Sequence, residues 1–193
     1  MTSLRLTARD LELFPLEDGT RYEIIDGELY VTTQPSVEHQ IVCHRYGVLL
    51  ESAAGEAGVV IPAPRVILSE DQAVAPDVVW VSRGRLRDLV GPDRKLHAAP
   101  DLVIEVLSPG AENERRDREI KLALYSRRGV QEYWITDWVA RRVDVYRREN
   151  AALRLLATLL EDDVLDSPLL PGFACPLASL FAGLPLEDTA SQR

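Results

Sequence analysis

The stretch PDLVIEVLSPG, residues 100–110, constrains this chain most. Its aliphatic run ends at Ser108-Pro109-Gly110, so it reads as a buried strand closed by a turn. Side chains of an extended strand alternate faces. Leu102, Ile104 and Val106 take one face; Asp101, Val103, Glu105 and Leu107 take the other. Glu105 is therefore an ionisable group set in a core. A lone ionised carboxylate there is strongly unfavourable unless it is paired or bound to a cation. A second segment, VAPDVVWV, carries Asp77 in the same setting. Two such strands can lie side by side, and like charges held close need a cation between them. Oxygen ligands of this kind suit magnesium or manganese. Asp77 and Glu105 thus form half a cage for a hard divalent ion, with salt bridges to arginines as the competing reading.

The rest of the chain alternates strand and helix signals. Thr7 caps a short helix through ARDLELF, with Asp10 reaching back, and Pro15 ends it. RYEIIDGELYVTT alternates around Asp26-Gly27, which predicts a hairpin. The spacing of Ile41, Val42, Tyr46, Leu49 and Leu50 predicts a helix over 37–54 that closes at Gly55. GVVIPAPRVIL predicts one or two strands and VAPDVVWVS one strand; RGRLRDLVGPDRKLHA reads as a loop with a helical turn. A charged helix over 112–128 stops at Gly129. VQEYWITD, RRVDVYRR and ALRLLATLL read as strands, and SPLLPGFACPLASLF as a tail that packs down. The expected fold is α/β, a central mixed β-sheet flanked by helices. The length of 193 residues suits one domain. Within it, 1–60 hold the N-terminal helix, hairpin and helix, 61–150 the core, and 151–193 a strand and the packed tail.

Counting along the charged helix puts Ile120, Ala123 and Leu124 on its buried face. Asp117, Lys121 and Tyr125 run along one edge, four residues apart. A lysine there can orient or deprotonate a metal-bound water, or stabilise charge on a phosphate. A plain Asp117–Lys121 surface pair is the other reading.

Net charge is −9, so the surface on average repels nucleic acid, and any phosphate-binding role needs a local basic patch. Arginine clusters at 82–87, 114–119, 126–128 and 141–148 offer such patches, or solvated faces. No apolar run is long enough to span a bilayer. The opening MTSLRLTARDLELF lacks the pattern of a signal peptide, so the expected location is the cytoplasm. Cys43 and Cys175 read as two reduced thiols with no metal-ligand cluster. His39 reads as a cap or core hydrogen-bonder, His44 and His97 as structural or exposed, and Tyr133 and Trp134 as core packing.

Two acids on neighbouring strands with a lysine nearby resemble the PD-(D/E)XK nucleases. The ordered set YEIIDGELYV, PSVEHQ, APDVVWV, PDLVIEVLSPG, RDREIKLALYSRRGVQEYWITD and SPLLPGF covers nearly the whole chain and resembles the Uma-two family of proposed restriction endonucleases. The resemblance implies a restriction-endonuclease-like core and magnesium- or manganese-dependent hydrolysis of DNA phosphodiester bonds. It aligns Asp77 with the metal-binding aspartate and Glu105 with the acid of the (D/E)XK element. Leu107 stands where the superfamily pattern expects lysine, and Lys121 on the helix is the matching position. A further helix acid is implied, with Glu38, followed by His39, as the candidate and Glu28 as another. The expected catalytic set is Asp77, Glu105, Lys121 and Glu38, with Asp77 and Glu105 as metal ligands. One site per chain and a double-strand cut imply a homodimer, with no membrane partner. Three alternatives remain: an inactive nuclease fold acting as a nucleic-acid-binding or regulatory module, a hydrolase of a small phosphorylated substrate, and an oligomeric partner whose acids are salt-bridged to arginines.

Overall fold

The computed structural model describes residues 5–15 and 20–185. The expected unit of 1–193 also includes residues outside these. A 3-10 turn over Ala8–Leu13 opens the fold, with the Asp10 carboxylate accepting from the Thr7 N–H at 2.6 Å. The hairpin strands β1 (Arg21–Ile25) and β2 (Glu28–Thr32) follow. Asp26 and Gly27 join them at φ 52° and 79°, the paired left-handed conformation that a two-residue hairpin turn requires. Helix α1 spans Val37–Ala54 and stops at Gly55 (φ 49°); the Ser36 hydroxyl caps it by accepting from the His39 N–H.

Next come β3 (Gly58–Pro62), β4 (Val66–Ser69), β5 (Gln72–Val74) and β6 (Val78–Ser82). The expected single strand through VAPDVVWVS is split. Pro76, which has no N–H to give a ladder, sits in the break at 75–77, so Asp77 precedes β6 instead of lying inside it. After α2 (Arg83–Leu89) comes β7 (Leu102–Val106), buried along its whole length. The charged helix then runs continuously as α3 (Ala111–Arg115), a π segment (Arg116–Lys121) and α4 (Leu122–Arg128). Strands β8 (Glu132–Asp137), β9 (Arg142–Glu149), β10 (Ala152–Leu160), β11 (Val164–Asp166) and β12 (Ala174–Pro176) precede α5 (Leu177–Phe181).

The main sheet has the order β10-β9-β8-β7-β6-β3; β7 and β8 are parallel and the other pairs antiparallel. A smaller sheet, β2-β1-β5-β4, carries the hairpin. Helix α1 and the C-terminal tail cover one face of the main sheet. There Tyr46, Leu50, Phe173 and Phe181 pack on Leu102, Ile104, Val106 and Trp134. Helix α4 and the smaller sheet cover the other face, where Val79, Val81, Val103 and Ile135 meet Ile25, Val74, Leu124 and Tyr125. The expected α/β architecture is thus present, and the strand assignment of the leucine-rich β10 holds. No helix among the described residues is long and apolar enough to cross a membrane.

One helical face departs from the expectation. Ala123 is exposed and Ile120 half-buried, while Arg116, Asp117 and Lys121 are buried with Leu124 and Tyr125. The π segment is the cause. Its wider turn aligns residues five apart, so Arg116 and Lys121 both turn inward, where a regular α-helix would splay them. The charged edge became the buried one.

Candidate active site

The β6–β7 ladder pairs Trp80 with Leu102, Val79 with Val103 and Val78 with Ile104. Carried one step further, the same register sets Asp77 opposite Glu105, on one face of the sheet. Both acids line one narrow cleft of about 10 Å³, roughly the space one water or ion needs. Arg21, Thr32, His39 and Arg116 complete the part of its wall that matters here.

The side chains around the two acids come from four elements. Asp77 Oδ1 accepts from Arg21 Nη1 at 2.6 Å; its Oδ2 accepts from the Val106 backbone N–H at 2.9 Å and lies 3.1 Å from His39 Nε2. Glu105 Oε1 accepts from Lys121 Nζ at 3.0 Å and from the Tyr125 hydroxyl at 2.9 Å. Lys121 Nζ also lies 3.0 Å from Glu23 Oε1 and 3.5 Å from Asp117 Oδ1. Arg116 closes the group, 3.1 Å from Asp117 and 4.0 Å from Glu23.

Three of the residues expected from sequence therefore meet: Asp77, Glu105 and Lys121. Glu38 does not. It is half-buried on the first turn of α1 and is absent from the cleft wall, whereas its neighbour His39 turns in to Asp77. Glu28 accepts from the Tyr30 hydroxyl at 3.2 Å and lines a separate cavity. The additional acid is Glu23 on β1, together with Arg21, Arg116 and Tyr125. Glu23 had a signal in the sequence: RYEII sets an acid among apolar residues, as the Asp77 and Glu105 segments do.

A family profile described as "Putative restriction endonuclease", Uma2, matches residues 8–178. The chain belongs to the Uma2 family. Among solved structures, a crystal structure of a "putative nuclease" of DUF820 from Anabaena variabilis shares the fold. Its TM-score is 0.71 at 18% identity, over 91% of this chain and 97% of that one. No curated protein matches.

Within this Uma2 chain the four carboxylates Glu23, Asp77, Glu105 and Asp117 share three permanent cations, Arg21, Arg116 and Lys121. Each acid responds differently. Burial opposes ionisation of Asp77, yet His39 and Arg21 outweigh it and hold its carboxyl well below the usual range. Burial also opposes ionisation of Glu23, but Lys121, Arg116 and the Ala75 N–H hold it low. Glu105 goes the other way. Burial, with Asp77, Asp117 and Glu23 around it, pushes it up to about 8 against the pull of Lys121. Burial alone would lower the Lys121 ammonium, but Glu105, Glu23 and Asp117 hold it above the ordinary lysine range. Lys121 is therefore a fixed cation and hydrogen-bond donor.

The residues fit a hard divalent ion, because the carboxylates of Asp77 and Glu105 line one ion-sized space with Asp117 at the same wall.

The arginine clusters do not form one bare basic face. Arg85 pairs with Asp101, Arg118 with Asp144, Arg127 with Asp26 and Arg147 with Glu132, and Arg148 donates to the carbonyls of Val130 and Ser126. Exposed pairs such as Arg127–Asp26 are worth less than about 1 kcal/mol and can exchange for phosphate.

Proposed function

We propose that the protein is a metal-dependent endonuclease that hydrolyses phosphodiester bonds in DNA. The observation that carries this is the facing of Asp77 and Glu105 across β6 and β7, with Lys121 Nζ 3.0 Å from Glu105. Asp77 and Glu105 would hold magnesium or manganese, which supplies Lewis-acid polarisation of the scissile phosphate and of the attacking water. Lys121 donates to Glu105 and holds a positive charge against the negative charge that develops on the phosphate. Glu23 and Asp117 fix the Lys121 ammonium in place. Tyr125 orients the Glu105 carboxylate through its hydroxyl. Arg21 and Arg116, at the cleft wall, are placed to meet phosphate oxygens. Arg21 must first release Asp77, and its side chain, 27% exposed, is the most accessible of the cluster's cations. A double-strand cut calls for two such sites, hence a homodimer, and we place the protein in the cytoplasm.

Nicking of supercoiled plasmid with magnesium or manganese tests this. The wild type should nick, and Asp77→Asn and Glu105→Gln should each lose about 10²–10³-fold, as loss of a preorganised electrostatic group does. Equal activity in all three would end the proposal. One observation supports a second reading, a nuclease fold retained as an inactive nucleic-acid-binding module: Arg21 already supplies Asp77 with a cation. Plasmid binding without nicking by the wild type, at any metal concentration, would favour it.

A further inference from the structure

Asp77 has a second set of neighbours. His39 and Cys43 lie four residues apart on α1, one turn of the same helical face. The Cys43 thiol stands 3.5 Å from His39 Nδ1, and His39 Nε2 stands 3.1 Å from Asp77 Oδ2. One nitrogen of His39, the sulfur of Cys43 and a carboxylate oxygen of Asp77 lie within 4.8 Å of one another. Ligand atoms around a tetrahedral zinc are separated by roughly 3.3–3.6 Å, given its bond lengths to sulfur, nitrogen and oxygen. The sulfur and the carboxylate now contact opposite nitrogens of the ring, so closing the set on one nitrogen takes rotation of these side chains. Sequence alone kept Cys43 and Asp77 apart; packing of α1 against the start of β6 joins them.

The set is also reachable. A cavity of about 510 Å³ between α1 and the edge strand β3 is walled by His39, Cys43 and Asp77, with Gly47, Val60 and Pro62 further along it. Arg21, His39 and Asp77 wall both this cavity and the Asp77–Glu105 cleft, whereas Glu105 lines only the cleft. The donor chemistry differs too. A thiol and an imidazole select a borderline or soft ion such as zinc or cobalt over magnesium.

We propose that His39, Cys43 and Asp77 form a second metal site, for a zinc-class ion, and that it competes with the Asp77–Glu105 site for their shared carboxylate. Three protein ligands leave the fourth zinc position to solvent in the cavity. An ion bound there withdraws Asp77 from Glu105, so zinc inhibits turnover supported by magnesium. The binding stands independently of the function proposed above, whereas the inhibition rests on it.

Cobalt serves as the spectroscopic probe. Titration of the wild type with cobalt should give a thiolate-to-metal charge-transfer band saturating at one ion per chain. Cys43→Ser should abolish the band and Glu105→Gln should keep it. Zinc should protect Cys43 of the wild type from alkylation by N-ethylmaleimide, which tests the site without any variant. No band in the wild type, a band surviving Cys43→Ser, or alkylation unaffected by zinc would each overturn the site. In the nicking assay with excess magnesium, zinc should inhibit the wild type at least tenfold more strongly than Cys43→Ser; equal inhibition would overturn the competition. If nothing nicks, the nuclease reading fails, while the cobalt and alkylation results still decide the site.

Discussion

The two faces of strand β7 are buried to the same degree, and only one of them adds a charged network to its apolar packing. On one, Leu102, Ile104 and Val106 meet Tyr46, Leu50 and Trp134; the polar atoms there are few, the Tyr46 hydroxyl pairing with Thr136 at 2.7 Å and the Trp80 indole N–H standing without a hydrogen-bond partner. On the other, Glu105 is 2% exposed and Lys121 1%, yet they belong to a network of four acids and three fixed cations. Burial cannot explain the difference, because both faces have it. Stability does not require it either. Replacing buried ion pairs by well-packed apolar residues is often neutral or stabilising. A face that keeps charges where oil would serve is arranged for what those charges do, and the network falls one positive charge short only when Glu105 ionises, at about pH 8.

The contrast breaks most readily at Lys121. Lys121→Met leaves Glu23, Glu105 and Asp117 without their common cation, and should destabilise the fold by about 3–5 kcal/mol in urea denaturation. Adding Glu23→Gln to that variant should restore part of the loss, since a carboxylate that Lys121 holds ionised goes with it. A loss under about 1 kcal/mol in the single variant would mean that the network does not depend on its lysine.

A smaller effect separates the faces by pH. The Glu105 carboxyl, ordinarily near 4.5, is raised to about 8 in the fold. It therefore holds its proton more tightly folded than unfolded. The resulting advantage is present in full below about pH 4.5 and lost as pH rises to about 8. Asp77 and Glu23, held low, act in the opposite sense and at lower pH. Melting temperature of the wild type should fall relative to Glu105→Gln between pH 5 and 8, and magnesium should narrow that gap by favouring the ionised form. A gap independent of pH would remove Glu105 as the acid that titrates.

The smallest change belongs to the oily face. Ile104→Val should weaken the fold by about 0.5–1.5 kcal/mol, the usual result of one lost methylene. The loss should be the same at pH 5 and pH 8, and nicking should be unaltered. A pH-dependent loss would show that the two faces are coupled through the strand.

Much of this was legible in the sequence for identifiable reasons. Strand alternation alone put Val103, Glu105 and Leu107 on one side, and the hairpin at Asp26-Gly27 followed from two residues that tolerate positive φ. The pairing of Asp77 with Glu105 followed from one acid in each of two apolar segments. Glu23 carried the same mark and was passed over, because it shares RYEII with a hairpin signal that already accounted for the alternation. The family resemblance implies a helix acid and so points to Glu38, whereas the geometry turns the imidazole of its neighbour His39 inward. The buried edge of the charged helix could not be read by counting at a fixed angle. The π segment changes that angle locally, and composition gives no notice of it.

That wider turn has an evolutionary corollary. Deleting a single residue between Arg116 and Lys121 would let regular winding resume and would leave those two residues four apart, still on one face. Leu124 and Tyr125 could keep the rest of the helix seated in the core. The wider turn thus behaves as one extra codon that the helix absorbs without unseating either end. Relatives that lack the extra residue should show a one-residue gap at this turn and keep both inward cations.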